Sequence, residues 1–198
     1  MLKIGLLSSL ATALMMTVEI PYPGAPYLKY DPSEVPVLIG GFAFGPLAGL
    51  AILVVKNLLF MLFRFEPTQL VGIPLNTLAG AALVLTSSSF YQLKKTRSRA
   101  LVALVLGGVS MTCVMIPANL YVLPWFTRWM TGEAMSTAGM LPFILTVITP
   151  FNLLKAGLTS TLTFLVYKRV SIFLKEERRQ VQEERRPGLG TSRARIPG

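Results

Sequence analysis

The chain has 198 residues and a mean hydropathy of +0.59, with 53% hydrophobic and 14% charged residues. A soluble domain of this size carries about 25% charged residues, so the composition is that of a membrane-embedded protein. There is no histidine, which removes the commonest general base, the commonest metal ligand and every Ser-His triad; the one cysteine, Cys113, excludes an internal disulfide framework and a cysteine metal cluster.

In chain order, the apolar sequence falls into six spans, where a membrane-crossing helix needs about 20 mainly apolar residues. The first covers 4–20 and stops at Pro21 and Pro23. No Ala-x-Ala-type site follows it, so it is expected to be retained rather than cleaved as a leader. It carries two small-xxx-small pairs, Ser8 with Thr12 and Ser9 with Ala13. That spacing lets another helix backbone approach, either within the bundle or from a separate membrane protein.

A polar stretch, Tyr27-Leu-Lys-Tyr-Asp-Pro-Ser-Glu34, then leads into a short apolar helix over 35–44. Pro36 suits its first turn and Gly45-Pro46 closes it. This second span is too short to cross a bilayer alone and has to lean on its neighbours. Gly40, Gly41, Gly45 and Gly49 surround the corner, spaced for a tight turn and close helix approach. They lack the lysine and hydroxyl of a phosphate loop, and no ATPase motif occurs elsewhere.

Spans three, four and five cover 47–63, 71–91 and 100–123. Cys113 lies in the fifth, in an apolar run that points to buried packing. The last apolar block, 141–174, would reach about 50 Å as one straight helix, against a hydrocarbon core of about 30 Å. Pro150 lacks an N–H and is expected to break it, leaving a short outer segment at 142–149 and a sixth span over 150–173.

Basic residues set the orientation. Lys94, Lys95, Arg97 and Arg99 lie between spans four and five. Lys168, Arg169, Lys175, Arg178, Arg179, Arg185, Arg186, Arg193 and Arg195 follow span six. Basic loops stay on the cytoplasmic side. Six spans put both clusters, and Lys3, on that side. The expected fold is therefore all-α, an integral protein of the cell membrane with six transmembrane helices and both termini cytoplasmic. Residues 1–174 form the membrane-embedded binding domain and 175–198 a basic cytoplasmic tail. The tail is helical over 174–186 and disordered over 187–198. The net charge of +10 then needs no nucleic-acid partner, and the tail suits contact with anionic lipid.

Polar residues inside the apolar blocks point to chemistry, because they are costly to hold in lipid. Asn152 and Lys155 are three apart in span six and share a helix face. Asn119 sits near the end of span five. With the loop 28–34, these groups can converge on one outward-opening pocket; the alternative is a snorkelling lysine and two helix-bridging amides. Lys56 and Asn57 are deep in span three, and Glu19 and Asn76 are conceivable partners. Structural pairing and ligand contact stay open for this lysine.

The runs Tyr27-Leu-Lys-Tyr-Asp-Pro-Ser-Glu-Val-Pro36, Gly40-Gly-Phe-Ala-Phe-Gly-Pro-Leu-Ala-Gly49, Lys56-Asn-Leu-Leu59 and Pro150-Phe-Asn-Leu-Leu-Lys155 resemble the riboflavin-specific S components of energy-coupling-factor (ECF) vitamin transporters. The resemblance covers about 5–174. It implies a six-helix substrate-binding subunit that takes riboflavin from outside for ATP-driven uptake. It also implies a membrane coupling protein (T component) and two cytoplasmic ATPases as partners, with Ser9 and Ala13 as candidate docking residues. This family often has Ala-x-x-x-Ala there.

Flavin chemistry suits the polar residues. The pyrimidine edge of the isoalloxazine ring offers acceptors and one donor, which Asn119 or Asn152 can match. Lys155 donates only, and suits a ring carbonyl or a ribityl hydroxyl. Leu28, Tyr30 and Tyr121 can wall the ring, and Asp31 can accept from ribityl hydroxyls. Lys29 and Lys155 are the cations near the mouth, few for the phosphate of FMN. No metal and no cofactor besides the transported ligand is expected. The alternatives are an S component for FMN or another vitamin, a small lipid-acting enzyme, and a structural membrane protein. Against the enzyme stand the missing histidine and the absence of paired acids inside the spans.

Overall fold

The computed structural model describes residues 2–23, 25–64, 66, 69–133 and 136–184, with side chains as far as Tyr167 apart from Pro26, Tyr27 and Thr137. The elements are α1 (Leu2–Thr17), β1 (Ile20–Tyr22), β2 (Ala25–Tyr30), α2 (Glu34–Phe44), α3 (Pro46–Phe63), α4 (Gln69–Leu93), α5 (Arg97–Thr131), α6 (Thr137–Phe143), a π-helical turn (Ile144–Ile148) and α7 (Thr149–Glu184). Two compact units divide at 163/164. The first holds everything up to the opening part of α7. In the second, α7 continues to Glu184. Helix α7 covers the expected tail as far as Glu184, whereas 185–198 lie outside the described residues.

Among the described residues, four helical stretches are long and apolar enough to cross a membrane: Pro46–Phe63, Gln69–Leu93, Arg97–Thr131 and Ala138–Tyr167. Leu2–Thr17 and Glu34–Phe44 are shorter apolar helices.

The α2–α3 corner follows from its sequence. Gly45 has φ 103°, a left-handed conformation that a Cβ makes costly. Pro46 follows at the first turn of α3, where its missing N–H has no intrahelical partner to lose. Gly41 and Gly49 lie four residues on either side of Gly45. A Cβ on Gly49 would stand 2.9 Å from the Gly41 Cα, so the two backbones touch. Gln92 of α4 donates to the carbonyl of Phe42 (3.1 Å), an acceptor at the open helix end, and to that of Gly41 (3.4 Å), which also accepts from the Gly45 N–H. Phe42 stacks on Tyr91 at 4.4 Å. Helices α4 and α5 approach closely at Gly107, where a Cβ would lie 2.8 Å from the Leu83 carbonyl.

Four expectations need correction. The fold is not purely helical: β1 and β2 form an antiparallel hairpin pairing Ile20 with Tyr30 and Pro21 with Lys29. Prolines and aromatics in 20–30 favour extended backbone, and an ion pair between Lys29 and Glu19 (2.7 Å) ties the strands together. Next, α5 runs past Leu123 to Thr131, carrying Pro117 and Pro124 inside it. It stops at Gly132, whose φ of 82° is a left-handed C-cap.

Pro150 does not break the last block either. Just before it, Thr149 N–H bonds to Ile144 O, five residues back. That π register shifts the ladder and lets the helix pass the proline. Lastly, Cys113 is exposed, on the α5 stripe that also exposes Val105, Leu106 and Val109. Lipid solvates an apolar helix face as well as a protein core does, so hydrophobic surroundings did not imply burial.

Candidate ligand-binding site

Glu34 and Lys56 lie eleven residues on either side of Gly45. In two helices that fold back at that corner, equal distance means equal height. The structure joins them: Lys56 Nζ is 2.8 Å from Glu34 Oε1, with 0% and 2% of the side chains exposed. Neither Glu19 nor Asn76 holds Lys56. Its second partner is the hydroxyl of Ser33, at 2.5 Å. Gly80 of α4 makes room for the carboxylate, since a Cβ there would lie 3.0 Å from Glu34 Oε2.

Ser33 passes the interaction on. Its hydroxyl and its backbone N–H (3.0 Å) both donate to Asp31 Oδ1. The other oxygen, Asp31 Oδ2, lies 3.6 Å from Lys155 Nζ, again with both side chains nearly buried. Lys155 donates to Asn76 Oδ1 at 2.7 Å. Asn76 donates to Asn57 Oδ1 at 3.4 Å, and Asn57 donates to Thr77 Oγ1 at 2.8 Å. One buried polar network thus joins the loop after β2 to α2, α3, α4 and α7. Burial alone would raise the Asp31 carboxyl. Lys155, Lys56 and the two Ser33 hydrogen bonds outweigh it and hold the group at about 2. Burial also pushes the neighbouring Tyr30 phenol up, while the Thr159 hydroxyl draws it back in part.

The two expected amides border an apolar floor. Leu123, Met140, Ile144 and Ile148 form a buried cluster with Leu28, Ile116 and Phe143 packed against it. Asn119 lies one turn before Leu123, and Asn152 one turn after Ile148. Each amide is buried and donates one N–H to the carbonyl four residues back, to Met115 and Ile148 respectively, at 2.8 Å. By valence, each keeps another donor and its carbonyl oxygen for a partner. A flat ligand with apolar faces and a polar edge matches this combination of floor, amides, ammonium and carboxylate.

Six of the residues read from sequence therefore gather here: Leu28, Tyr30, Asp31, Asn119, Asn152 and Lys155. Two stand apart. Lys29 is 41% exposed on its side chain and paired with Glu19. Tyr121 is 89% exposed, on an apolar groove of about 600 Å³ between α4 and α5 that also takes in Pro74, Pro117 and Trp125. The sequence reading had Ser33 and Glu34 only as part of the loop 28–34, offered Glu19 and Asn76 for Lys56 where Glu34 and Ser33 hold it, and named no partner for Asn57. The equal spacing about Gly45 was the available signal for the Glu34–Lys56 pair.

On α1, the two small-residue pairs face opposite ways. Ser8 and Thr12 are buried and donate to the carbonyls of Ile4 and Ser8. Ser9 and Ala13 are exposed, in line with exposed Gly5.

Comparison with known proteins bears on all of this. A family model described as "ECF transporter, substrate-specific component" matches residues 1–167. The chain is 31% identical to the riboflavin transporter FmnP of Bacillus subtilis (strain 168) over 182 residues, covering 88% of this chain and 93% of that one. It is 34% identical to the riboflavin transporter RibU of Staphylococcus aureus (strain TCH60) over 176 residues, covering 88% and 92%. A solved structure described as the S component of a bacterial ECF transporter superposes with a TM-score of 0.74 at 35% identity, covering 88% of this chain and 96% of that chain.

Proposed function

Because this chain belongs to the substrate-specific components of ECF transporters, we propose that it is the riboflavin-capturing subunit of such a transporter. It is a multi-pass protein of the cell membrane and a transport component rather than an enzyme. The observation that carries the substrate is the meeting of the apolar floor under Leu28 with Asn119, Asn152, Lys155 and Asp31. Amides can pair with the pyrimidine edge of a flavin, the floor can take its ring, and Asp31 with Lys155 can serve the ribityl hydroxyls. A site built on buried hydrogen bonds rejects analogues that lack the matching groups.

The cations support riboflavin over FMN. Among the described residues around the hairpin and the network, Lys29, Lys56, Arg64 and Lys155 each face a carboxylate. A phosphate would have to displace one of these pairings.

Six crossings follow if α1 and α2 cross with the help of their neighbours, and the basic clusters then put both termini in the cytoplasm. Energy comes from two ATPases acting through a membrane coupling protein, which docks on the α1 face carrying Ser9 and Ala13. Asn152→Ala and Lys155→Ala test the site. Each is expected to weaken riboflavin binding at least tenfold in a protein that still runs as a folded monodisperse species, since each removes a buried partner of a polar ligand group. Loss of folding with no separable loss of binding would assign these residues to helix packing instead.

A further inference from the structure

We infer that Lys56 and Asn57, neighbours on α3, are positioning residues that fix the Lys155 ammonium from two sides. This rests on the reading of Lys155 as a ligand contact. Lys56 itself is 0% exposed, with Ser33 and Glu34 as its partners.

On one side runs a chain of hydrogen bonds with a single polarity. Thr77 Oγ1 donates to Ile73 O at 2.7 Å. A carbonyl can only accept, so the hydroxyl spends its hydrogen there and must accept from Asn57. Asn57 therefore presents Nδ2 to Thr77 and turns Oδ1 to Asn76. Asn76 then donates to Asn57 and turns its own Oδ1 to Lys155. At the far end, Lys155 is a donor only, which demands the same orientation. Both ends of the chain fix the amides independently of how either was placed.

On the other side the polarity is equally fixed. Lys56 can only donate, so the Ser33 hydroxyl accepts from it and gives its hydrogen to Asp31. Asp31 Oδ1 is thereby occupied by Ser33, and Oδ2 faces Lys155. Two adjacent residues of one helix thus set both partners of a long, flexible side chain. A ligand then meets an ammonium already in place, and less conformational freedom is lost on binding.

The test uses the detergent-purified full chain, with riboflavin affinity from flavin fluorescence quenching and thermal unfolding measured without ligand. Lys56→Met combined with Glu34→Leu removes both charges of the buried pair, a change that leaves no lone charge inside. Asn57→Leu cuts the other side. Ser33→Ala removes only the link from Lys56 to Asp31 and leaves the Glu34–Lys56 pair in place, so it serves if either of the others fails to fold. Each is expected to weaken binding about tenfold, beyond what any fall in unfolding temperature accounts for, and none should weaken it further in a Lys155→Met background, because coupled residues are non-additive. Ser33→Thr keeps the hydroxyl and should retain affinity. Losses that multiply in the Lys155→Met background, or affinity that merely follows unfolding temperature, would overturn the inference. Intact binding in these variants while Lys155→Met loses it would overturn the inference alone. Unchanged binding by Lys155→Met would overturn the reading of the site, and the inference with it.

Discussion

Two buried lysines and two buried acids sit within one network, and each lysine has its own carboxylate. Asp31 gives this arrangement a pH signature. Its carboxyl is held at about 2 in the fold, below about 3.9 in an unfolded chain. A lowered carboxylate stabilises the fold above its unfolded pKa, and that contribution is lost as pH falls through the folded value. Thermal stability of the ligand-free protein should therefore drop between about pH 4 and pH 2, by about 2 kcal/mol from this group. Asp31→Asn should be less stable at neutral pH and lack that part of the drop; circular dichroism melts across the range would show it. Asn119, Asn152 and Lys155 were legible in the sequence because polar side chains in apolar runs stand out. Glu34 was legible only as the end of the polar loop 28–34; its pairing with Lys56 was not, because its burial depends on α3 and α4 folding over it.

At the scale of elements, glycine placement predicted the α2–α3 corner, since Gly45 needs its positive φ and Gly41 and Gly49 need contact between backbones. Gly49→Ala should destabilise the protein by about 1–3 kcal/mol through overpacking, read as a lower unfolding temperature, whereas Ala at Gly72, with nothing within 4 Å of a Cβ, should not. The prolines misled in α5 and at Pro150. Proline removes one hydrogen bond, but a membrane helix has no water to unwind into, and a π turn or a bend costs less than exposing the backbone. The hairpin was hidden for another reason: its strands are three and six residues long, too short to show an alternation against the prolines.

For the whole molecule, the structure separates the two faces of α1, which the sequence could not. Ser8 and Thr12 are buried in the bundle, while Ser9 and Ala13 are exposed with Gly5, and small side chains at this spacing are what the proposed docking of a partner helix requires. Ala13→Leu should leave riboflavin affinity unchanged and reduce co-purification with the coupling protein and its ATPases. Equal co-purification of both forms would move the docking surface elsewhere. The orientation of the bundle was read from lysine and arginine placement, a whole-chain pattern that no single helix carries.

Capture of riboflavin by this subunit is tested most directly by titrating riboflavin into the detergent-purified protein and following flavin fluorescence. Quenching should saturate at one flavin per chain and withstand excess thiamine or biotin. A folded protein that leaves the fluorescence unquenched, or that releases the flavin to either competitor, would contradict it.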